Sequence, residues 1–552
     1  MSELNKWDSQ KREKIIQGII RLGQRSEDQK DSLVLETFYD YNITPYLMNT
    51  NNQIIQGSRG TGKTHILRVL EKTLPQKIGE LTHCIYLDCR QIGSSIGNGL
   101  NNNKEADGLS LNPPSRFFQY FLERIYKKIE GYYSYQYYND DPILKEKVYA
   151  LLSKLKGCTI TINEVVQSAS VVDQEGNNST ESSSLFGELS LFKSFDLRKN
   201  KERKKGKNLF QEKKQEIKYN RSFEFPKFGI VLDELLNMTN TRIFLLLDEW
   251  SSIPWDIQPY LAEFLRKTLF PVSRVKFKIA VVPQRTQLRS TINGQKMGLE
   301  VGADIQMAID LDRVYSIDNS PRELFNFCFR FICKHLSALL ATKIEASEFI
   351  QNMLADERCA FLLVRSSEGN PRDFINMTFS CVQNTLGADY VRIDESKIIP
   401  NSKTLFEGSK LRDCDEHSRQ LLDQLINFVV YQKHNRGFLI DRDKINQSHA
   451  LKGLIDARVI HILKENYIGY DKAMSRNCSL LILNFGAYSD ILWAGKPINL
   501  FWGSDILEKS IFPPKEHILY SDELLPYDEN RKFYVCYLDV IRNEQFTPFF
   551  YG

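Results

Sequence analysis

Eight consecutive residues constrain this chain more than anything else in it. Gly57-Ser58-Arg59-Gly60-Thr61-Gly62-Lys63-Thr64 follows the pattern G-x-x-x-x-G-K-T and stands between a short strand (52–56) and a helix carrying Ile66, Val69 and Leu70 on one face. A strand that breaks into a glycine-rich turn and restarts as a helix aims backbone N–H groups at the helix's positive end, where they surround phosphate oxygens. In such a loop the residues from Gly57 to Gly62, with His65 just beyond, line the bound phosphates, the Lys63 ammonium reaches the β and γ phosphates, and the Thr64 hydroxyl binds Mg2+. The expected ligands are ATP and Mg2+, and the expected fold class is α/β.

Three more strands are expected, at 83–88 (HCIYLD), 242–248 (RIFLLLD) and 276–282 (KFKIAVV). The last two are apolar enough to be buried on both faces, which predicts a parallel sheet with helices on both sides. The third strand ends in Asp248-Glu249. Beside a phosphate loop, Asp248 completes the Mg2+ shell through water, and Glu249 orients and deprotonates the attacking water. The fourth ends in Val282-Pro283-Gln284-Arg285, placing Gln284 or Arg285 within reach of the γ-phosphate. Further on, Gly369-Asn370-Pro371-Arg372-Asp373 opens a helix whose Arg372 can fold back on the nucleotide. A helix from Asp256 to about Leu269 carries Arg266 and Lys267 near its end, with Arg274 in the next loop. In a ring or filament such an arginine enters the neighbouring subunit's site; as a solvated helix end it is held by the helix dipole alone.

The organisation along the chain follows. Residues 1–50 form an arm with Ile15, Ile16, Ile19, Ile20 and Leu22 at helical spacing and an aromatic segment at 38–46. The core, 51–315, contains an insertion at about 140–221 with a polar stretch (173–184), an alternating segment (184–195) and a basic tract (198–214). Residues 316–400 read as a small helical domain. In 401–552, a helix (418–432), a turn at Asn435-Arg436-Gly437, a helix (441–456) and two strands (459–463, 480–485) follow the order of a winged helix.

Net charge is +4, yet the tract 198–214 alone carries +7, so the rest of the chain sums to −3 and the overall charge is no argument for a nucleic-acid-binding body. The tract itself is either a mobile loop touching nucleic acid or an acidic partner, or a solvated linker. Ten cysteines without a C-x-x-C pair or a histidine at zinc spacing read as reduced core thiols. The longest apolar runs (243–247, 480–483) fall far short of the roughly 18 residues a bilayer requires, and residues 1–31 are charged; a cytoplasmic protein with no membrane contact is expected.

The segments IIQGSRGTGKTHILRVL (54–70), CIYLDCRQ (84–91) and SSEGNPRDFI (366–375) together resemble the AAA+ ATPases of the initiator branch, the origin-recognition and Cdc-type ATPases, which overlap with the STAND signalling ATPases. DEWSSIPWDIQPYLAEFLRKTLFP (248–271) resembles uncharacterised bacterial ATPases of this branch, some of which look like parts of mobile-element or antiphage systems. The resemblance covers about 30–490 and implies a P-loop NTPase core of AAA+ type, a helical lid and a C-terminal winged helix. The insertion departs from the initiator pattern, and Arg285 is closer to STAND usage than to an asparagine at that position. Two functions follow as expectations. One is an ATP-gated switch that assembles with itself or with an effector protein. The other is a DNA-binding initiator or loader, for which Lys444, Lys452 and Arg458 supply only modest charge. With no nuclease, deaminase, protease or pore signature in the chain, effector chemistry is expected in a partner.

Overall fold

The computed structural model describes residues 7–22, 31–78, 81–91, 113–135, 141–159, 225–292, 294–316, 321–383, 392–432, 436–467 and 478–494, and short backbone stretches at 165–166, 218–219, 527–528, 533–534, 537–540 and 546–549. The alternating segment and the basic tract lie outside the described residues.

A parallel sheet of five strands forms the centre: β1 (Gln53–Gln56), β2 (Leu81–Asp88), β3 (Thr241–Asp248), β4 (Val275–Val281) and β5 (Met307–Asp310), in the order β2-β3-β4-β1-β5. The four strands expected from the sequence are present, their ends shifted by a residue or two, and β5 is additional. Register runs from Leu81 opposite Thr241 to Asp88 opposite Asp248, and β1 pairs with both β4 and β5. Because β1 lies beside β4 rather than β2, the loop leaving it opens next to the tips of β3 and β4, the place where open α/β sheets bind ligands.

Helices cover both faces. On one, α1 (Ser9–Arg21), α2 (Asp31–Thr37) and α3 (Lys63–Lys77) lie with the lid; on the other are α4 (Pro113–Tyr135), α5 (Pro142–Thr159), α6 (Phe225–Met238) and α7 (Gln258–Thr268). Strand alternation divides β3 between two cores: Ile243, Leu245 and Leu247 join Phe117, Phe121, Leu155 and Phe228, whereas Phe244 and Leu246 face Ile66, Leu67 and Leu70 of α3. The span expected as an insertion thus begins with a core helix, α5, whose Val148, Leu151, Leu152 and Leu155 are buried.

The lid comprises α8 (Pro321–Leu340), α9 (Ala346–Met353), α10 (Glu357–Ser366), α11 (Pro371–Gln383) and α12 (Glu395–Leu405). The N-terminal arm belongs to it physically. Ile15 and Ile19 are buried, Gly18 approaches Leu336 and Leu340 so closely that a Cβ would meet both at 3.0 Å, and the Trp7 N–H donates to Asn352 Oδ1 at 2.9 Å.

The C-terminal region runs α13 (Glu416–Leu425), β6 (Gly437–Asp441), α14 (Arg442–Gln447), α15 (His449–Asp456), β7 (Ile460–Tyr467) and β8 (Cys478–Leu483), with β8 antiparallel to both β6 and β7. The helix expected over 441–456 is two helices, because the Ser448 hydroxyl caps the second by accepting from the Leu451 N–H. No described helix is long and apolar enough to cross a membrane.

Candidate nucleotide site

The loop leaves the sheet only after a last ladder bond, from the Gly57 N–H to the Val281 carbonyl at 3.2 Å. Gly60 (φ +94°) and Gly62 (φ +85°) then take left-handed conformations that turn the chain into α3. Lys63 bends over its own loop, donating to the carbonyls of Gly57 and Ser58 at 2.7 Å each. Burial pushes its ammonium down to about 8, against the pull of Asp312, Asp248 and Glu249. Asp312, just past β5, grips the loop from behind: it accepts from the Ser58 N–H at 2.7 Å and the Ser58 hydroxyl at 2.6 Å. Nothing in the sequence marks Asp312, whose partner is 254 residues away.

Asp248, at the tip of β3, is only 1 % exposed. Burial pushes its carboxyl upward, while hydrogen bonds from Tyr86 (2.7 Å), Thr64 and the Glu249 N–H (2.8 Å) partly offset that push. A hydroxyl and a buried carboxylate side by side are a fitting donor set for Mg2+, whose other ligands would be water and phosphate oxygens. Glu249 itself has φ +52°, a left-handed backbone rare outside glycine, and its side chain lines the cavity over the loop. Ser251 ties the tips of β3 and β4 together, its hydroxyl accepting from the Val282 N–H at 2.7 Å. Arg90, held in a fork by Asp88 at 2.7–3.1 Å, reaches the same cavity.

The lid docks directly on the loop. Gly369 is obligatory, because its φ is +80° and a Cβ there would lie 1.8 Å from the Tyr315 carbonyl oxygen. The Asn370 amide donates to the Arg59 carbonyl at 3.0 Å, and the Arg372 N–H lies 3.3 Å from the Gly60 carbonyl. A Cβ on Gly60 would meet Asn370 Oδ1 at 2.6 Å and Arg372 Cβ at 2.8 Å. Between loop, lid and arm remains a cavity of about 490 Å3. Thr61, Lys63, Thr64, Arg90, Glu249 and Arg372 supply its charged and polar wall; Phe38, Tyr39, Phe327 and Phe331, on the His65 side, supply a flat apolar one. The first suits a phosphate chain with its cation, the second a stacked base.

The remaining arginines lie elsewhere. Arg285 forms a fork with Asp456 at the end of α15, its Nε 2.8 Å from both carboxylate oxygens, so the C-terminal region holds it here. Gln284 lines a second cavity behind the loop, of about 560 Å3, with Gln56, Ser58 and Asp310. Arg266 is bound by Glu263 at 2.7 and 3.0 Å, and Arg274 donates to Asn237 and Asn240 at 2.9 and 2.8 Å. Neither lines the nucleotide cavity of its own chain. A third cluster links lid to C-terminal region: the buried Asp373 carboxylate takes Arg458 at 2.9 Å and Lys410 at 3.2 Å.

The glycine loop at the switch point of this strand order, with the acidic pair at the tip of β3, defines a P-loop NTPase fold of AAA+ type. No family model matches the chain, and no curated protein matches it. Among solved structures the chain is similar to Cdc6p from Pyrobaculum aerophilum (11 % identity, TM-score 0.28, 86 % of this chain and 95 % of that one). Others are the Holliday junction branch migration motor RuvB from Thermotoga maritima (10 %, 0.29, 86 % and 98 %) and Drosophila ORC bound to DNA (10 %, 0.26, 89 % and 95 %). At this degree of overlap the functional reading rests on the loop, the strand order and the cavity.

Proposed function

We propose that the chain is an ATP-hydrolysing molecular switch in which the nucleotide controls how the C-terminal region is held. The observation that carries this is a set of ion pairs that fasten the C-terminal region, one beside the cavity and one at the tip of β4. Arg372 lines the cavity, the next residue, Asp373, is ion-paired to the C-terminal region, and Arg285, at the tip of β4, is ion-paired to Asp456.

ATP is the substrate. The Lys63 ammonium, released from its two loop carbonyls, binds the β and γ oxygens, and Arg372 adds charge from the lid side. Glu249 holds the attacking water and takes its proton as the oxygen attacks the γ-phosphorus and the bond to the bridging oxygen breaks, releasing ADP. Bound Mg2+ supplies charge neutralisation along the phosphates, and Thr64 and Asp248 are the residues to hold it. Arg285 completes the γ-phosphate contacts once it leaves Asp456. Arg266 or Arg274 acts in the neighbouring subunit of an ATP-dependent oligomer, after giving up its present partners. The regulated component is an effector protein, and the resemblance of 248–271 to antiphage-type ATPases supports a defence setting.

A second reading, a DNA-binding initiator or loader, is favoured by one observation. The succession helix, strand, two helices and an antiparallel strand pair over 416–483 suits a winged helix. Against it, Arg458 is engaged with Asp373 rather than offered to a phosphate backbone.

The switch reading is tested by nucleotide binding and phosphate release in two variants. Lys63→Ala is expected to abolish binding, and Glu249→Gln to keep binding and lose turnover. Equal loss of binding in both defeats these roles.

A further inference from the structure

The apolar side of the nucleotide cavity contains one polar pattern that the hydrolysis chemistry does not use. His335 of α8 is 7 % exposed and lines the cavity. Its Nδ1 lies 3.0 Å from the Phe331 carbonyl oxygen. A carbonyl can only accept, so Nδ1 carries the proton and Nε2 of the neutral ring keeps a lone pair. Burial pushes the imidazole down to about 4, so the ring is neutral in any physiological buffer. Among the described residues nothing bonds Nε2, and it is not among the buried polar atoms sealed from solvent, so it opens into the cavity. His65 repeats the pattern. Its Nε2 donates to the Val34 carbonyl at 2.7 Å, and the two imidazoles meet edge to face at 6.0 Å. Phe331, 4.4 Å from His335, and Phe38, 5.2 Å from His65, wall the same space. His65 directly follows Thr64, so this wall begins beside the phosphate-binding end.

We propose that His335 Nε2 is the acceptor that selects the base, favouring a purine with an exocyclic amino group at C6 over a 6-oxo purine. The proposal rests on reading this cavity as the nucleotide site and adds its specificity. An adenine amino group donates to the lone pair with Nδ1–H still on Phe331. A 6-oxo purine sets a carbonyl oxygen against that lone pair; the only relief is to move the proton to Nε2, which leaves the Phe331 carbonyl without its donor. Either outcome forfeits about one hydrogen bond, a discrimination of about tenfold.

ATP and ITP differ at this position and share the triphosphate, so titration calorimetry of the full chain with each, in Mg2+ at pH 7.5, reads the effect. The wild type is expected to bind ATP about tenfold more tightly, and His335→Phe to bind ATP no better than ITP, with ITP affinity unchanged within about twofold. Should the buried site reject phenylalanine, His335→Gln serves. Its carboxamide presents either a donor or an acceptor, so the ATP preference collapses through a gain in ITP affinity. Equal affinity for the two nucleotides in the wild type, both lost in Lys63→Ala, overturns the base assignment and leaves the nucleotide site standing. A preference that survives both His335 variants overturns it too. If neither nucleotide binds the wild type, the nucleotide site itself falls and the base assignment with it.

Discussion

Lys63 shares its ammonium between two carbonyls of its own loop, and burial pushes it down to about 8 from the usual 10.5. The charged form is the one that holds a phosphate. Below about pH 8 the free protein already carries that proton; above it, each binding event must recover one, so the apparent Kd for ATP should be flat from pH 6.5 to about 8 and then rise by up to tenfold per pH unit. Calorimetry between pH 7 and 9.5 checks this, with Lys63→Ala showing no binding at any pH. For Glu249→Gln we expect a loss of about 100-fold or more in phosphate release with ATP affinity unchanged, since only the group acting on water is removed. These residues were legible because their signal is local: the glycine spacing and two carboxylates after an apolar run each fit within ten residues. Asp312 and His335 were not, since each acquires its meaning from groups that only folding brings near.

Among the elements, the lid's docking on the loop is the most sensitive to substitution. Gly60→Ala forces a left-handed alanine against Asn370 and Arg372, a strain of about 1–3 kcal/mol that the lid relieves by lifting. Hydrogen exchange should then show faster opening at 369–383 together with weaker ATP binding. Asp373 makes a different prediction. Burial alone would raise its carboxyl, but Lys410 and Arg458 more than offset that and hold it below the usual carboxylate range. A depressed folded-state pKa gives stability that is whole above the unfolded value, near 3.8, and lost as pH falls through the folded one. Docking of the C-terminal region should therefore persist from neutral pH to about 4 and fail below it. Asp373→Ala should remove it at any pH, at about 3 kcal/mol, because the buried Lys410 and the half-buried Arg458 are left without their anion. At this scale β2 to β4 were readable as apolar runs, and β1 from its place ahead of the glycine loop. β5 was missed, since Met307–Asp310 has four residues, all of them at least partly exposed, and its place in the sheet comes from pairing with β1.

For the molecule as a whole, the arrangement of the C-terminal region depends on ion pairs spanning 85 and 171 residues, and no local pattern announces such pairs. The boundary expected near residue 400 falls inside α12, which carries Pro400 within it, and what fastens the parts together leaves no local signal. Asp456→Ala loosens one fastening by only about 0.5–1 kcal/mol, given that its partly exposed pair is screened, and on the proposed role of Arg285 it should free that arginine for the γ-phosphate. The expected result is tighter ATP binding and, in the Glu249→Gln background, ATP-dependent assembly at lower protein concentration, read by light scattering. An unchanged monomer with and without ATP at micromolar concentration argues against assembly. Replacing 198–214 by a Gly/Ser linker should leave the melting temperature and ATP binding unaltered while abolishing nucleic-acid retention at low salt. Retention surviving the replacement moves the interface to the C-terminal region, and a wild type that never binds nucleic acid at low salt removes both that loop and the initiator reading. One last consequence follows from Arg372 and Asp373 being consecutive. Neighbours on a helix point about 100° apart on one rigid turn, so these two are teeth of a single cog with no slack between them. Asp373 lies 2.9 Å from Arg458 and 3.2 Å from Lys410, so a helix movement that brings Arg372 to a phosphate is expected to change these ion pairs as well. Whatever moves one of these two side chains is therefore expected to be felt at once by the other.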